Sequence, residues 1–157
     1  MIEIIEYQEK HHDDFRRLNL EWLEKYSLAE SHDLEILDDP KGKILDRGGV
    51  IFLAKAENKI VGSAALMKEE DGVFELAKMA VTFDWQGKGI SKLLLEKCLE
   101  TARKWNAKKM TLYSNSQLQT ALGLYKKYGF YHIPADNSPF VTADVRMELI
   151  LHKENSI

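Results

Sequence analysis

Apolar residues recur along the chain with two different spacings, and these spacings separate strands from helices. Residues Ile2 to Tyr7 alternate weakly between apolar and polar, which predicts a first strand. From about Gln8 to Tyr26 the apolar residues recur every three to four positions, as Phe15, Leu18, Trp22 and Tyr26 do, which predicts a helix. A second, short helix from Ser31 is expected to stop before Pro40, because the residue before a proline disfavours helical geometry.

The middle of the chain has the pattern of three consecutive strands. Val50 to Ala54 and Lys59 to Met67 are apolar runs on either side of the polar pair Glu57-Asn58, which predicts a hairpin. A third strand, from about Val73 to Val81, follows a turn-like acidic stretch that ends in glycine. Sequential strands with short connections are most simply antiparallel neighbours.

Two helices and two strands complete the predicted order. A strongly amphipathic helix spans about Gly87 to Trp105, and a second spans about Gln117 to Tyr128. A short strand from Lys108 to Ser114 separates them, and a clean alternation from Val141 to Leu151 predicts the last strand. The order β-α-α-β-β-β-α-β-α-β predicts an α/β fold with a mixed, mostly antiparallel central sheet flanked by helices, and with parallel pairing across the long helix.

Composition narrows the classes of function. The length of 157 residues predicts a single domain over residues 1–157. With 22 Lys plus Arg against 25 Asp plus Glu, the formal charge of -3 offers no field for a nucleic-acid backbone. The single cysteine excludes an internal disulfide and a four-thiolate metal site. Acids interrupt the opening apolar residues and no window approaches the ~20 apolar residues of a membrane span, so we expect a cytoplasmic protein.

The segment from Val81 to Ser91 is the part of the chain most typical of a binding site. It joins an apolar strand directly to the strongest helix, and Gly87 and Gly89 let the backbone approach a ligand. The start of a helix offers unpaired N–H groups and a partial positive charge to a phosphate. A Walker A loop does not match, and a dinucleotide fingerprint requires a glycine where Lys92 stands. The remaining candidate is the phosphate-binding pattern Q/R-x-x-G-x-G/A, which the residues from Gln86 to Ser91 represent.

Two motifs carry a resemblance to a known family. The loop Gln86-Gly87-Lys88-Gly89-Ile90-Ser91 resembles that of the GNAT superfamily of N-acetyltransferases, in which it holds the pyrophosphate of acetyl-CoA. The segment from Ala121 to Phe130 resembles the later motif of the family, an alanine three residues before Leu-Tyr that closes on Gly-Phe. The resemblance implies the GNAT fold, acetyl-CoA as acyl donor without a metal, and direct transfer of the acetyl group to a primary amine.

The resemblance also implies roles for particular residues. Backbone groups of the strand before the loop would contact pantetheine and the acetyl oxygen, and these belong to Met79, Ala80 and Val81. The pyrophosphate would be held by the loop residues Gln86, Gly87, Lys88, Gly89, Ile90 and Ser91. Tyr125 matches the general acid that protonates the leaving thiolate, since a phenol of pKa about 10 is protonated at neutral pH. The alternative to this catalytic role is that Tyr125 only packs on an apolar helix face.

Other residues have two interpretations each. Glu75 either acts as general base, directly or through water, or is an inert strand residue. Lys78 either attracts an acidic substrate or is an edge residue with its charge in solvent. Glu30 and Asp33 could attract a cationic amine. Lys88, rather than Lys92, is favoured to assist the phosphates of CoA.

Two further groups of residues have candidate chemistry but favour a structural role. His11, His12, Asp13 and Asp14 are consecutive helical residues that point in different directions, so they cannot converge on one metal ion. Cys98 falls on the apolar face of the long helix, which favours a buried packing thiol over a nucleophile.

The chain departs from the family pattern at three positions. Ser91 stands where glycine or alanine is common, and Phe83 where proline is frequent, but neither change removes a backbone N–H donor. Leu118 replaces an asparagine that could contact the pantetheine arm. These departures leave an alternative function open, namely a non-catalytic acyl-CoA-binding sensor or interaction module. The acceptor, a small-molecule or peptide amine, is not identified, and a homodimer is left open.

Overall fold

The computed structural model describes residues 1–136 and 138–152, and it folds as strands and helices in nearly the predicted order. The helices are α1 (His12–Lys25, after a 3₁₀ turn at Glu9–His11), α2 (Ser31–Asp38), α3 (Pro40–Lys43), α4 (Ile90–Lys104) and α5 (Gln119–Lys127). The strands are β1 (Ile2–Glu6), β2 (Val50–Ala56), β3 (Lys59–Glu70), β4 (Val73–Val81), β5 (Lys109–Ser114), β6 (Tyr131–Ile133) and β7 (Val145–Ile150). The predicted single domain over 1–157 extends beyond the described residues and stays a prediction.

All seven strands form one sheet in the order β1-β2-β3-β4-β5-β7-β6. Every neighbouring pair is antiparallel except β4 and β5, which are parallel across the α4 connection. The predicted class, a mixed and mostly antiparallel sheet flanked by helices, is confirmed. The short strand β6 was not predicted, because three residues are too few to show an alternation.

The last strand begins later than its alternation predicts. β7 starts at Val145, whereas Val141 is 97% exposed and lies in an irregular segment. The backbone N–H groups of Val141 and Thr142 donate to the Glu30 carboxylate instead of to a strand. The prediction of strand from Val141 was therefore wrong for its first four residues, because alternating residue types also occur where a side chain satisfies the backbone.

β4 and β5 pair over only three residues each, Val73–Glu75 with Lys109–Thr111, and then separate. The separation follows a bulge in β4: Ser63 of β3 lies opposite Ala80, and Ala65 lies opposite Ala77, so Lys78 and Met79 together face one β3 residue. Lys78 has a φ of 53°, which is uncommon outside glycine. A bulge bends a strand and increases its twist, so the end of β4 turns away from β5.

Two apolar clusters cover the two faces of the sheet. On one face α4 and α5 pack through fully buried side chains such as Leu94 and Leu95. On the other face α1 and α2 pack through Phe15, Leu18 and Leu37. Cys98 is fully buried in the α4 cluster, and burial raises the pKa of its thiol to about 12, which confirms the packing interpretation. Among the described residues, no helix is long and apolar enough to cross a membrane.

The α4 face offers a test of the core assignment. Leu94→Ala should lower the free energy of unfolding by about 2–5 kcal/mol, because it leaves a cavity against β3 and the neighbouring strands. Leu93→Ala is the matched control, since Leu93 is the preceding residue but 39% exposed, and it should change stability by about 0.5 kcal/mol or less. Urea unfolding followed by circular dichroism measures both; equal losses would contradict the packing of α4 described above.

Candidate active site

A cavity of about 650 Å³ lies where β4 separates from β5. One wall is β4 from Leu76 to Val81, and the opposite wall is the end of β5 with one side of α5. The start of α4 closes one end, and residues of α1 together with Phe140 line the rest. The cavity therefore brings the glycine loop and the later sequence motif to one place, as their spacing predicts.

The glycine loop leaves the start of α4 open to a ligand. Gly87 and Gly89 have φ values of 75° and 80°, and a Cβ atom built at either position would meet nothing within 4 Å. The Leu93 N–H donates to the Gly89 carbonyl at 3.2 Å, which is the first backbone hydrogen bond of α4. The amides of the three preceding residues, Ile90, Ser91 and Lys92, come before this bond. The first turn of α4, all of whose residues are described, has no acidic side chain to neutralise its partial positive charge.

Side chains fix the loop to the end of β4. The Gln86 side-chain N–H donates to the Val81 carbonyl at 3.0 Å, which accounts for a polar residue at the start of the motif. On the other side, Glu21 of α1 accepts hydrogen bonds from the Thr82 hydroxyl at 2.9 Å and the Phe83 N–H at 3.3 Å. These contacts fix the chain between β4 and the loop, whose residues Gly87 and Gly89 line the cavity.

The two lysines beside the loop lie differently from the sequence expectation. Lys92 lines the cavity, whereas Lys88, the favoured residue, does not. The Lys88 ammonium lies 5.8 Å from the centroid of the Trp85 ring, a cation–π contact with a residue that does line the cavity. The glycines on either side of Lys88 line the cavity, but the lysine side chain that reaches the cavity is that of Lys92.

The three β4 residues named from the resemblance all line the cavity. The side chains of Ala80 and Val81 are buried in the core, so these residues present mainly their backbone to the cavity. The bulge takes Lys78 and Met79 out of the regular β3–β4 ladder. The Ser63 hydroxyl donates to the Lys78 carbonyl at 2.7 Å and accepts from the Asn19 side chain at 3.1 Å, which fixes the shape of the bulge.

Tyr125 packs in the core and also lines the cavity, so both interpretations of this residue are compatible with its position. Its ring packs edge-on against Phe130 with centroids 5.8 Å apart, and it is 7% exposed within the α4–α5 core. It also lines the cavity together with Gly87 and Gly89. Burial raises the pKa of its phenol, so the group is protonated over the whole neutral range. Leu118, which stands in place of the family's asparagine, lines the same wall.

Glu75 lies beside the cavity and does not form part of its wall, which begins at the next residue. The pKa of its carboxyl is raised to about 7, first by burial and then by the negative charge of Glu69. The positive charges of Lys78 and Arg146 act in the opposite direction. A carboxyl with this pKa exchanges protons readily near neutral pH.

Three charged residues considered for substrate attraction are already paired within the fold. Lys78 and Asp33 form a buried ion pair at 2.5 Å, so Lys78 is not an edge residue with its charge in solvent. Asp33 also accepts from the Glu30 N–H at 3.0 Å. Glu30 in turn binds the N–H groups of Val141 and Thr142 and the Thr142 hydroxyl. These acids connect α2 to β4 and to the segment before β7. Asp33 also lines the cavity, and the attraction of a cationic amine by Glu30 and Asp33 stays a prediction.

Three aromatic residues of the cavity wall, Trp22, Tyr26 and Phe140, were not identified as site residues from the sequence. The rings of Trp22, in α1, and Tyr26, directly after it, lie with centroids 4.9 Å apart at a tilted angle and line the cavity. Phe140 contacts His32 at 4.9 Å and Tyr113 at 6.2 Å, and closes the far end. Trp22 and Tyr26 were assigned to the core stripe of their helix, and no motif marks Phe140. Only the three-dimensional contact between distant segments identifies this wall.

Comparison with known proteins identifies the family. A sequence model of the Acetyltransferase (GNAT) family matches residues 8–130, so the chain belongs to the GNAT acetyltransferase family. An uncharacterized N-acetyltransferase of Mycobacterium tuberculosis is 33% identical over 104 residues, which cover 66% of this chain and 62% of that relative. The chain thus aligns with about three fifths of the relative's length.

Solved structures of low identity share the fold. The GNAT-family acetyltransferase from Staphylococcus aureus Mu50 superimposes with a TM-score of 0.86 at 23% identity, covering 97% of this chain and 100% of that chain. The PaiA N-acetyltransferase from Thermoplasma acidophilum, solved in complex with coenzyme A, gives a TM-score of 0.75 at 19% identity, covering 96% and 99%. The GNAT fold expected from the two motifs is confirmed.

The raised pKa of Glu75 predicts a pH-dependent stability effect. In the unfolded chain the carboxyl ionises near its ordinary value of 4.5, whereas in the folded protein it ionises at about 7. The folded state therefore loses stability as pH rises between these values, by up to about 3 kcal/mol. Glu75→Gln removes this penalty, so its stability relative to wild type should increase between pH 4.5 and pH 8.

Thermal and urea unfolding at the two pH values measure this difference. Glu70→Gln is the control, because it removes an exposed carboxylate of β3 and tests the effect of one charge alone. A Glu75→Gln difference that is the same at both pH values would show that the carboxyl titrates normally.

Proposed function

We propose that this protein is an N-acetyltransferase that transfers an acetyl group from acetyl-CoA to a primary amine by direct attack. The observation that carries the proposal is the single cavity that joins the open amides at the start of α4 to the bulged backbone of β4 and to the Tyr125 ring. Membership of the GNAT acetyltransferase family and the coenzyme A complex of a structural neighbour support it. The start of α4 suits the diphosphate of acetyl-CoA, because a diphosphate requires backbone N–H donors, a positive helix end and no obstructing side chains.

The proposed binding step depends on backbone groups more than on side chains. Amides between Gln86 and Ser91 hold the diphosphate, and Lys92 adds a positive charge from the cavity side. Backbone groups of Met79, Ala80 and Val81 hold the pantetheine arm along β4, at the part of the strand that no longer pairs with β5. Because these groups are fixed before the donor binds, they stabilise the developing oxyanion without reorganisation.

Two side chains supply the proposed proton transfers. Glu75, with its pKa of about 7, accepts a proton from the acceptor amine, through water because it stands behind the cavity wall. The neutral amine attacks the thioester carbonyl, and the tetrahedral intermediate expels the thiolate of CoA. The Tyr125 phenol donates a proton to that thiolate, and its raised pKa keeps the proton available. The nitrogen then still carries one proton more than an amide does, and this proton passes to the Tyr125 phenolate, so that the products are the amide and free CoA.

Release of CoA thiol in the presence of a panel of polyamines, amino acids, aminoglycosides and peptides tests the activity. The proposal expects amine-dependent release with at least one acceptor class. Tight acetyl-CoA binding with no amine-dependent release would instead identify the non-catalytic sensor. The cytoplasmic location and the homodimer stay predictions.

Gly89→Trp tests the phosphate-binding loop. The indole would occupy the open space at the start of α4, so the affinity for acetyl-CoA measured by calorimetry should fall at least tenfold. Gly48→Trp is the control, because Gly48 also has a positive φ, 92°, but lies in a turn that does not line the cavity. The control carries a similar backbone strain and should keep its affinity. Equal affinities for all three proteins would contradict the loop assignment.

Tyr125→Phe tests the proposed acid. Removing only the hydroxyl should lower kcat by at least tenfold at pH 7 and leave acetyl-CoA affinity unchanged, because the ring contact with Phe130 remains. Tyr128→Phe removes a hydroxyl from the same helix that donates to Glu96 at 3.0 Å on the surface, and should keep full activity. Full activity of the Tyr125 variant would assign that residue to packing alone.

A further inference from the structure

The cavity extends along β4 well beyond the glycine loop. Val81 ends this strand next to the loop, and Lys78 stands three residues earlier, roughly 10 Å back at about 3.3 Å per residue. The Lys78 ammonium lies 5.4 Å from the centroid of the Phe140 ring, and both residues line the cavity. Phe140 therefore marks an end of the cavity that is remote from the proposed phosphate site, and we call it the far end.

The charged side chains of the far end neutralise each other. Asp33 and Lys78 form an ion pair at 2.5 Å, and their side chains are only 4% and 6% exposed. The second carboxylate oxygen of Asp33 accepts from the Glu30 N–H at 3.0 Å. Asp33 is the only acid among the described residues that line the cavity. The described wall therefore offers no second acid to an acceptor with several ammonium groups.

An acceptor carboxylate is also poorly matched to the far end. Besides Lys78, the lysines of the described cavity wall are Lys92, in the first turn of α4 beside the glycine loop, and Lys127, in the last turn of α5. A carboxylate beside Lys78 would add a second negative charge to a buried ion pair that is already balanced. Burying such a charge without further donors costs free energy.

Aromatic rings provide the uncharged surface around this ion pair. Phe140 and Tyr113 lie with ring centroids 6.2 Å apart and ring planes inclined by 62°. Trp22 and Tyr26 add two further rings on the α1 side of the cavity, and all four side chains line the cavity while partly exposed. Aromatic rings attract one another in tilted or offset contacts at centroid distances of about 4.5–7 Å. Such a wall therefore suits a ligand that carries a ring.

We propose that the acceptor is an arylalkylamine, a primary amine joined to an aromatic ring by a short carbon chain, and that its ring packs against Phe140 and Tyr113. The amine then points along β4 toward the backbone from Met79 to Val81, where the pantetheine arm is proposed to bind. A molecule with one amine and no carboxylate leaves the pair of Asp33 and Lys78 intact. This inference rests on the proposed function and names its substrate class.

Three phenylalkylamines that differ in chain length serve as probes: benzylamine, 2-phenylethylamine and 3-phenylpropylamine. Three comparison amines each change one property. Butylamine lacks the ring, spermidine adds ammonium groups, and L-phenylalanine adds a carboxylate to 2-phenylethylamine. Wild type should use the best phenylalkylamine with a kcat/KM about 30-fold or more above that of every comparison amine, because only the phenylalkylamines bury a ring without burying an unmatched charge.

Phe140→Ala should remove the preference for the ring. Its kcat/KM for the best phenylalkylamine should fall by about tenfold or more through a higher KM, with the values for butylamine and the KM for acetyl-CoA unchanged. Phe140→Leu keeps an apolar side chain against His32, should lose less, and replaces the alanine variant if that variant does not fold. Tyr131→Ala is the control, because Tyr131 is 45% exposed on β6 and does not line the cavity, and it should match wild type.

Two results would overturn the inference: a comparison amine that wild type uses as well as the best phenylalkylamine, or a Phe140→Ala variant whose kcat/KM falls equally for butylamine and the phenylalkylamines. A second measurement separates this inference from the proposed function. With CoA present, at least one phenylalkylamine should raise the Tm of wild type and of Tyr131→Ala, and should not raise that of Phe140→Ala. If no amine releases CoA, the proposed function fails, and the thermal shift alone decides whether the far end binds an aromatic amine.

Discussion

The bulge at Lys78 and Met79 is the constraint on which the cavity depends. Regular pairing would keep β4 beside β5 for the full length of both strands and leave no space between them. That pairing stops at Glu75, shortly before the bulge, and the hydroxyl of Ser63 accounts for the carbonyl of Lys78 within the bulge. One local irregularity therefore creates the space for a ligand and turns the backbone of β4 toward it.

The glycine loop follows from the same geometry. A strand that bends away from its neighbour delivers the chain to the start of α4, where Gly87 and Gly89 take positive φ values that other residues rarely adopt. The absence of side chains there and the lack of an acid in the first turn of α4 leave its amides accessible. Backbone conformation and helix position together make this end of the cavity suitable for an anion.

Features that depend on neighbouring residues could be predicted from the sequence. The strand from Val73 to Val81 has the predicted bounds, and Glu57 and Asn58 both take the positive φ values of a tight hairpin turn. Features that depend on distant residues could not be predicted. No spacing reveals that Asp33 pairs with Lys78, 45 residues away, or that the segment after Val141 is fixed by Glu30. Sequence motifs located the cavity, but only the folded chain shows which charged residues beside it are paired with each other.

The buried pair of Asp33 and Lys78 joins α2 to the bulge, and this has a consequence for exchange of parts between related proteins. A chimera that takes its first two helices from another GNAT protein would bury Lys78 without a counter-charge unless the donor also supplies an acid at the position of Asp33. Helix α2 and strand β4 must therefore change together. Recombination within this fold would succeed more often between α1 and α2, which keeps Asp33 and Lys78 in one parent, than at the turn before β2, which separates them.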